Sequence, residues 1–439
     1  MNFENNFQSV DVYKNDISVT RIIAEKILQR KSTAPFYVCD LREIFEKHSL
    51  WTRSLPRVKP FFAVKANNCA NVLKMLADVG VNFDCASKNE IDQILSLGVH
   101  PERIIYAHPV KPPNSIEYAK EVGVKLITFD NAEELSKMKK LYSDVRAVLR
   151  IRSDAKESIL SYGSKFGCNS DNEAARLIQL ARTLDVDLVG VSFHVGTECH
   201  DLEAFSNAIQ KAHAVFSMAK LQGFNPNVLD IGGGFTGVND QWFKKIAQTI
   251  NNALELYFPN ESMEIIAEPG SFFVNSSFTL ACNVLSKKLE MNKKLTYYIN
   301  DGIHGSFRRD YCFNVPVTVY PLKKYYKRKL YKSIIYGSSS AIPDVLTSDA
   351  LLPVLEIGDW LLFLNMGAYC TSLCTFYDGF SGPDVCYVVN PDNCSQLSFT
   401  LQWPTINEKE LPINDLNTNK KFISTFDVDK VSVGIFLLN

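Results

Sequence analysis

Phe61-Phe62-Ala63-Val64-Lys65-Ala66-Asn67-Asn68 runs four apolar residues directly into a single lysine and then into polar turn residues. A short apolar run with turn signals on both sides has the pattern of a parallel-sheet strand, hydrophobic on both faces. A lysine closing such a strand is costly to bury unless something uses it. Amines in apolar surroundings lose basicity and form imines with carbonyl compounds; a lysine reaching from a strand end into water is the plainer alternative. The rest of the chain decides between them.

Outward from this stretch a rhythm is visible. Strand-like runs occur at 60–66, 81–87, 104–109, 126–129, 147–152, 188–196, 227–234 and 263–270, separated by amphipathic segments such as NVLKMLADVG and DLEAFSNAIQKAHAVFSMAKLQG. Eight β-then-α units in about 215 residues match the count and length of a (β/α)8 barrel. Upstream lie a helical stretch from Ile22 to Gln29, a strand PFYVCD and a helix over Leu41–His48. From about 276 the pattern changes to β-branched and aromatic runs (SFTLACNVLSKKLE, LTYYIND, VPVTVYPL, KSIIYG, DWLLFLN, PDVCYVVN) broken by Gly, Pro, Asn and Asp. We therefore expect an α/β barrel over 41–275 and an antiparallel β domain formed by 1–40 plus 276–439.

Composition narrows the function class. The 439 residues are 46% hydrophobic and 22% charged with a net charge of −1, enough for a large core in two domains and without an electrostatic case for a nucleic-acid or membrane partner. The basic run Lys323–Lys329 reads as a solvated loop between strands. The opening MNFENNFQSVDVYKND lacks the pattern of a signal peptide, and no run of about 18 apolar residues occurs, so a cytoplasmic location is expected. Eleven cysteines without a CxxC pair read as reduced thiols, with no metal site.

In barrels of this kind the active site is built at the carboxyl ends of the strands. Lys65 ends the first, Asp84 is near the end of the second, Arg150 ends the fifth, His194 the sixth, Gly232-Gly233-Gly234 the seventh and Glu268-Pro269-Gly270 the eighth. A triple glycine after a strand offers unobstructed N–H groups to a phosphate. A carboxylate such as Glu268 beside a pyridine nitrogen keeps that ring protonated, and an imidazole such as His194 can lie flat on it. Jointly these point to pyridoxal 5'-phosphate.

The motifs FFAVKANN, FDCASKNEI, ERIIYAHPVK, KFG, VSFHVGTEC, LDIGGGFTG, IIAEPG, YYINDGIHGSF and IGDWLLFLNMGAYC resemble the eukaryotic ornithine decarboxylase family, over about residues 35–390. The resemblance implies an alanine racemase-like fold, a head-to-tail homodimer with shared active sites, and an amino-acid substrate. It implies that Lys65 holds the cofactor covalently, that His194 stacks on its ring and that Glu268 pairs with its nitrogen, with Asp84 and Arg150 in the same cofactor set. Gly232, Gly233, Gly234, Thr197, Gly270 and Tyr369 would serve the phosphate end. Tyr377 would line the substrate pocket, Lys165 would meet Asp344 across the dimer, and Gly367 would lie at the interface.

Three departures alter what the resemblance implies. Where the family has a phosphate-binding arginine, this chain has Ser271, losing a charge-assisted contact of order 1.5–3 kcal/mol. The family cysteine that protonates Cα becomes Ser340, and the adjacent aspartate that holds the distal ammonium of ornithine becomes Ala341. The second family aspartate aligns with Phe313, with Asp310 three residues away. An unpaired ammonium in such a pocket would cost on the order of 3–5 kcal/mol, whereas an aliphatic side chain gains about 0.8 kcal/mol per buried CH2. Two readings stay open. One is a decarboxylase of a neutral aliphatic amino acid such as L-leucine; the other is a non-catalytic, antizyme-inhibitor-like paralogue that binds antizyme.

Overall fold

The computed structural model describes residues 7–13, 17–289, 294–323, 325, 328–375, 377–389 and 406–409. The chain begins with β1 (Val10–Tyr13), α1 (Val19–Gln29), β2 (Phe36–Asp40) and α2 (Leu41–Ser54). Eight β-then-α steps follow: β3 (Val58–Ala63), α3 (Ala70–Asp78), β4 (Asn82–Cys85), α4 (Lys88–Ser96), β5 (Ile104–Tyr106), α5 (Pro113–Val122), β6 (Leu126–Phe129) and α6 (Ala132–Leu141) complete the first half. The second half holds β7 (Arg146–Arg150), α7 (Asn172–Thr183), β8 (Asp187–Ser192), α8 (Leu202–Leu221), β9 (Val228–Asp230), α9 (Asp240–Tyr257), β10 (Glu264–Ala267) and the short α10 (Ser271–Val274). β3 to β10 close into one parallel barrel, with β10 hydrogen-bonded back to β3.

Strand alternation builds both the barrel's plug and its mouth. Phe61, Ile105, Leu126, Val148, Val189, Val228 and Ile266 form one interior cluster, while Phe62, Phe83 and Leu149 belong to the larger core shared with the surrounding helices. Because side chains alternate with period two, the residue two positions beyond an interior plug residue points inward one layer higher. That rule carries Phe61 to Ala63, Val148 to Arg150, Val228 to Asp230 and Ile266 to Glu268.

The strands end earlier than the sequence pattern suggests. β3 stops at Ala63, and Lys65 sits in a one-turn 3-10 helix over Val64–Ala66 rather than at a strand end. His194 follows β8 in a loop, and the triple glycine follows β9. Apolar residues continue past the last ladder bond because the mouth loops are themselves buried.

The remaining elements form a sheet beside the barrel: β11 (Phe278–Leu289), β12 (Leu295–Ile299), α11 (Arg308–Phe313), β13 (Tyr320–Pro321), β14 (Tyr331–Tyr336), β15 (Val345–Leu352), β16 (Trp360–Phe363), β17 (Asp384–Val389) and β18 (Ile406–Lys409). This ten-stranded sheet includes β1 and β2, and it is mixed, which corrects the antiparallel expectation. β17 runs parallel to β1 and β2, and β14 runs parallel to β12. Of VPVTVYPL only Tyr320–Pro321 pairs as strand. Within the basic run Lys323 pairs with Asp359 at 2.5 Å, and the Tyr325 hydroxyl donates to the same carboxylate. Lys324, Tyr326, Lys327 and the tail beyond 395, apart from Ile406–Lys409, lie outside the described residues.

Trp51 on α2 anchors the end of the barrel. Its Nε1 donates to the Val58 carbonyl at 2.9 Å, and its ring meets Phe235, Phe243, Phe272 and Phe273 at centroid distances of 4.9, 5.6, 5.3 and 6.1 Å. Phe272 and Phe273 belong to α10, so this cage fixes the loop after β10. Trp51→Ala should destabilise the protein by about 3–5 kcal/mol, measured by denaturant unfolding; a loss under 1 kcal/mol would refute the anchoring role.

Candidate active site

Ala63, Lys65, Asp84, Arg150, His194, Glu268 and Tyr369 line one pocket of about 260 Å³ at the carboxyl end of the barrel. They come from the ends of β3, β4, β7, β8 and β10 and, for Tyr369, from the segment after β16. Tyr369 has a left-handed backbone (φ +59°), and its N–H donates to the Ala66 carbonyl at 2.7 Å, which ties the second sheet to the turn holding Lys65. The Phe313 ring meets Tyr369 edge-on at 6.2 Å.

Lys65 donates a short hydrogen bond to the buried Asp84, whose other oxygen has no partner. Burial pulls the Lys65 ammonium toward the neutral form, but Asp84, Glu268 and Tyr369 outweigh it and raise its pKa. The expectation of lost basicity is thus reversed, because sequence alone does not show carboxylates converging on the amine.

Glu268 and Asp230 form a carboxyl pair under the pocket. Burial pushes Glu268 well above the usual carboxylate range, helped by Asp230 and then Asp84. Burial also raises Asp230, to about 6, although the Gly232 N–H donates to its Oδ1 at 2.8 Å. Both shifts favour the protonated carboxyl. Asp230 escaped the sequence reading; the period-two rule from Val228 would have found it. For Asp230 the folded pKa lies above the unfolded value of about 3.9, so its contribution to stability falls as pH rises from about 4 to about 6. Asp230→Asn, freed of pyridoxal phosphate, should gain stability relative to the unaltered protein across that window; a pH-independent difference in melting temperature would contradict this.

His194 is half-buried, and desolvation first, then Arg150 and Lys65, lower its pKa well below 6.5. Its Nδ1 accepts the Gly196 N–H at 3.0 Å, so the proton of the neutral ring resides on Nε2. The loop after β7 covers the mouth: Tyr162 packs edge-on against His194 at 4.9 Å, and Phe166 stands 5.3 Å from the Arg150 guanidinium and 5.6 Å from the His108 ring. Tyr162, Phe166 and His108 were not legible, because they sit in loops without periodicity. Thr197 bonds the Tyr162 hydroxyl at 2.6 Å.

The glycine turn is a tight fit. Gly232 has φ +62°, and a Cβ there would lie 2.1 Å from the Phe193 carbonyl oxygen; at Gly233 it would lie 2.8 Å from His194 Nε2. Gly270 lies against Ala66 and Tyr369, where a Cβ would come within 2.9 and 3.4 Å of them. Ser271, buried, opens α10. A planar ring bearing a phosphate suits this arrangement: a covalent amine, a carboxyl pair below, a neutral imidazole, orphaned buried oxygens on Asp84 and Asp230, and a cradle any side chain would fill.

The other expected residues lie elsewhere. Ser340, Ala341 and Tyr377 do not line this pocket of their own chain. Ser340 is exposed, and its N–H and Oγ donate to Asp378 at 2.6 and 3.1 Å, a carboxylate the sequence reading missed. Tyr377 stacks on His304 at 4.3 Å. Asp344 is buried, accepting from the Ile303 and Ser339 N–H groups at 2.9 and 3.0 Å, while Lys165 Nζ lies 4.9 Å from the Phe166 ring. Gly367 packs inside its own chain, where a Cβ would lie 1.6 Å from the Val274 carbonyl oxygen. Asp310 is ion-paired to Arg309 at 2.6 Å.

Residues 41–275 match the family model described as the pyridoxal binding domain of pyridoxal-dependent decarboxylases. Fold and site thus define a pyridoxal phosphate-dependent amino-acid decarboxylase. The chain is 40% identical over 383 residues to ornithine decarboxylase 2 of Drosophila melanogaster, covering 85% of this chain and 96% of that protein. It is 42% identical over 384 residues to antizyme inhibitor 2 of Xenopus laevis, covering 84% of each. Among solved structures, the arginine decarboxylase of Paramecium bursaria Chlorella virus superposes with a TM-score of 0.82 at 34% identity, covering 84% of this chain and 100% of that one. The chain belongs to the ornithine decarboxylase family. Among the described residues no helix is long and apolar enough to cross a membrane.

Proposed function

We propose that this chain decarboxylates a neutral aliphatic L-amino acid, with L-leucine as the preferred substrate, to its primary amine. The observation that carries the substrate preference is Phe313 packed edge-on against the pocket residue Tyr369, with Ala341 at the other distal position. The carboxylates that could be set against this are engaged: both oxygens of Asp378 by Ser340, Asp344 by Ser339 and the Ile303 N–H, and Asp310 by Arg309.

When bound, pyridoxal phosphate supplies a ring that takes up the electron pair left as CO2 departs. Lys65 would hold it covalently, and Asp84 stands beside Nζ to favour a proton there when the amine is free. Glu268 holds a proton toward the ring nitrogen, with Asp230 as its partner. His194, neutral, presents a flat face and adds no charge. Gly232 has spent its N–H on Asp230, which leaves Gly233 and Gly234 for the phosphate, with Thr197, Gly270 and Tyr369 around it. Tyr162 and Phe166 exclude water from the mouth. Ser340 stands in for a stronger acid at Cα, so protonation there limits turnover.

Residues 41–275 are read as the cofactor barrel, and 1–40 plus 276–439 as the β domain that reaches into a second copy. Exposed Ile342, Tyr377 and Phe380 flank Ser340, and an apolar, outward-facing rim supports a homodimer in which Ser340, Ala341 and Tyr377 enter the partner's pocket. Purified protein with pyridoxal phosphate should release isopentylamine from leucine; keto acid or aldehyde as the sole product would overturn the reading. The second reading, a non-catalytic antizyme-binding protein of the cytoplasm, is favoured by Ser271 and by the antizyme inhibitor relative. It requires a colourless monomer that captures antizyme.

A further inference from the structure

Lys111, in the loop after β5, is a buried cation that the chemistry above does not use, with 2% of its surface exposed. A buried ammonium is costly unless its donors are spent, and here each has an acceptor. Nζ donates to the His108 carbonyl at 3.0 Å, to the Thr128 carbonyl at 2.6 Å and to Glu134 Oε1 at 2.9 Å. The Lys111 N–H donates to the same Glu134 oxygen at 3.2 Å. Lys137 closes the cluster, donating to Glu134 Oε2 and to the Lys111 carbonyl, each at 2.6 Å. One side chain thus ties the loop after β5 to the end of β6 and to α6.

That loop is part of the pocket. Ala107, His108 and Pro109 line it, and His108 Nδ1 accepts the Val110 N–H at 3.1 Å. The segment after β6 also holds the loop after β7, because Asp130 Oδ2 accepts the Gly167 N–H at 2.9 Å, next to the Phe166 ring that meets His108. Resting on the pocket as the cofactor site, we propose that Lys111 is a positioning residue: it fixes His108 and Pro109 as the wall on which Phe166 packs to cover the mouth. The groups facing Lys111 are Glu134 and Lys137 on α6, Asp130 after β6, and on β5 the Tyr106 ring at 5.7 Å. His108 stays neutral, since burial and then Lys111 lower its pKa below 6.5. Burial pulls the Lys111 pKa down to about 8, against Glu134, which raises it. Above that pH a neutral amine has two N–H donors for three acceptors, and the loop loses a tie. The unfolded value is higher, about 10.4, so over this range the titration of Lys111 makes global stability rise with pH. Loosening of the loop is therefore separable from unfolding.

The test is amide hydrogen exchange in the full-length, cofactor-stripped protein, paired with equilibrium titration by pyridoxal phosphate read near 420 nm. The amides of residues 110 and 111 should be protected at neutral pH and, corrected for the intrinsic pH dependence of exchange, lose protection through about pH 8. Lys111→Met keeps the stem without the donors. It should leave those amides unprotected at every pH and weaken pyridoxal phosphate binding on the order of tenfold, because the wall is no longer pre-ordered. The final absorbance should be unchanged, since Lys65 is untouched. Glu134→Gln guards against a folding defect in the first variant: it keeps the shape and should move the loss of protection below pH 8. Protection unmoved by both substitutions, or an opened loop with unchanged cofactor affinity, would overturn the proposal while the cofactor site stands. No imine in the unaltered protein would overturn both.

Discussion

Replacing Lys65 with alanine is expected to remove the absorbance near 420 nm that an imine of pyridoxal phosphate gives, and to lower decarboxylation by on the order of 10³-fold or more. The magnitude follows from two losses at one position, since the covalent anchor disappears along with the proton held beside Asp84. Folding should be little affected, because Lys65 faces the open pocket and its side chain is 45% exposed. Asp84 would then be left as a buried carboxylate without its cation. Retained absorbance together with retained turnover would place the anchoring amine elsewhere and undo the site as described.

The second large effect concerns specificity. Installing carboxylates at both distal positions, Phe313→Asp with Ala341→Asp, should reverse the preference from leucine toward ornithine. An apolar pocket that receives an unpaired ammonium costs on the order of 3–5 kcal/mol, several hundred- to several thousand-fold in kcat/KM, and an unpaired carboxylate facing leucine costs the same in the other sense. Phe313 packs on Tyr369 within one chain, whereas Ala341 lies outside that chain's pocket, so either substitution alone should give part of the switch. A double variant with leucine still preferred would show that the distal pocket is built from other residues.

The barrel was legible from Phe61 onward because parallel strands buried on both faces read as apolar runs, and helices between them read at period 3.6. The mouth was legible where a charged residue closed such a run: Lys65, Asp84, Arg150 and Glu268 all reach one pocket. Asp230 was not legible beside the triple glycine that starts two residues after it, although it lies two residues beyond the interior Val228. Tyr162, Phe166 and His108 lie in loops whose position depends on long-range bonds, such as the Thr197 N–H to the Leu160 carbonyl at 2.9 Å. Strand direction in the second sheet was also hidden. Alternation is the same for either direction, and it is the pairing of β17 with β2 and β1, of β18 with β1 and of β14 with β12 that makes those parts of the sheet parallel.

The measurement that bears most directly on the central claim is competition in one reaction: purified protein, pyridoxal phosphate, and leucine and ornithine at equal concentration, with both amines quantified over time. Isopentylamine exceeding putrescine by at least a hundredfold is the result expected from an apolar distal pocket of this cost. Putrescine in excess would contradict it, and would mean that a carboxylate such as Asp378 leaves Ser340 to receive the distal ammonium.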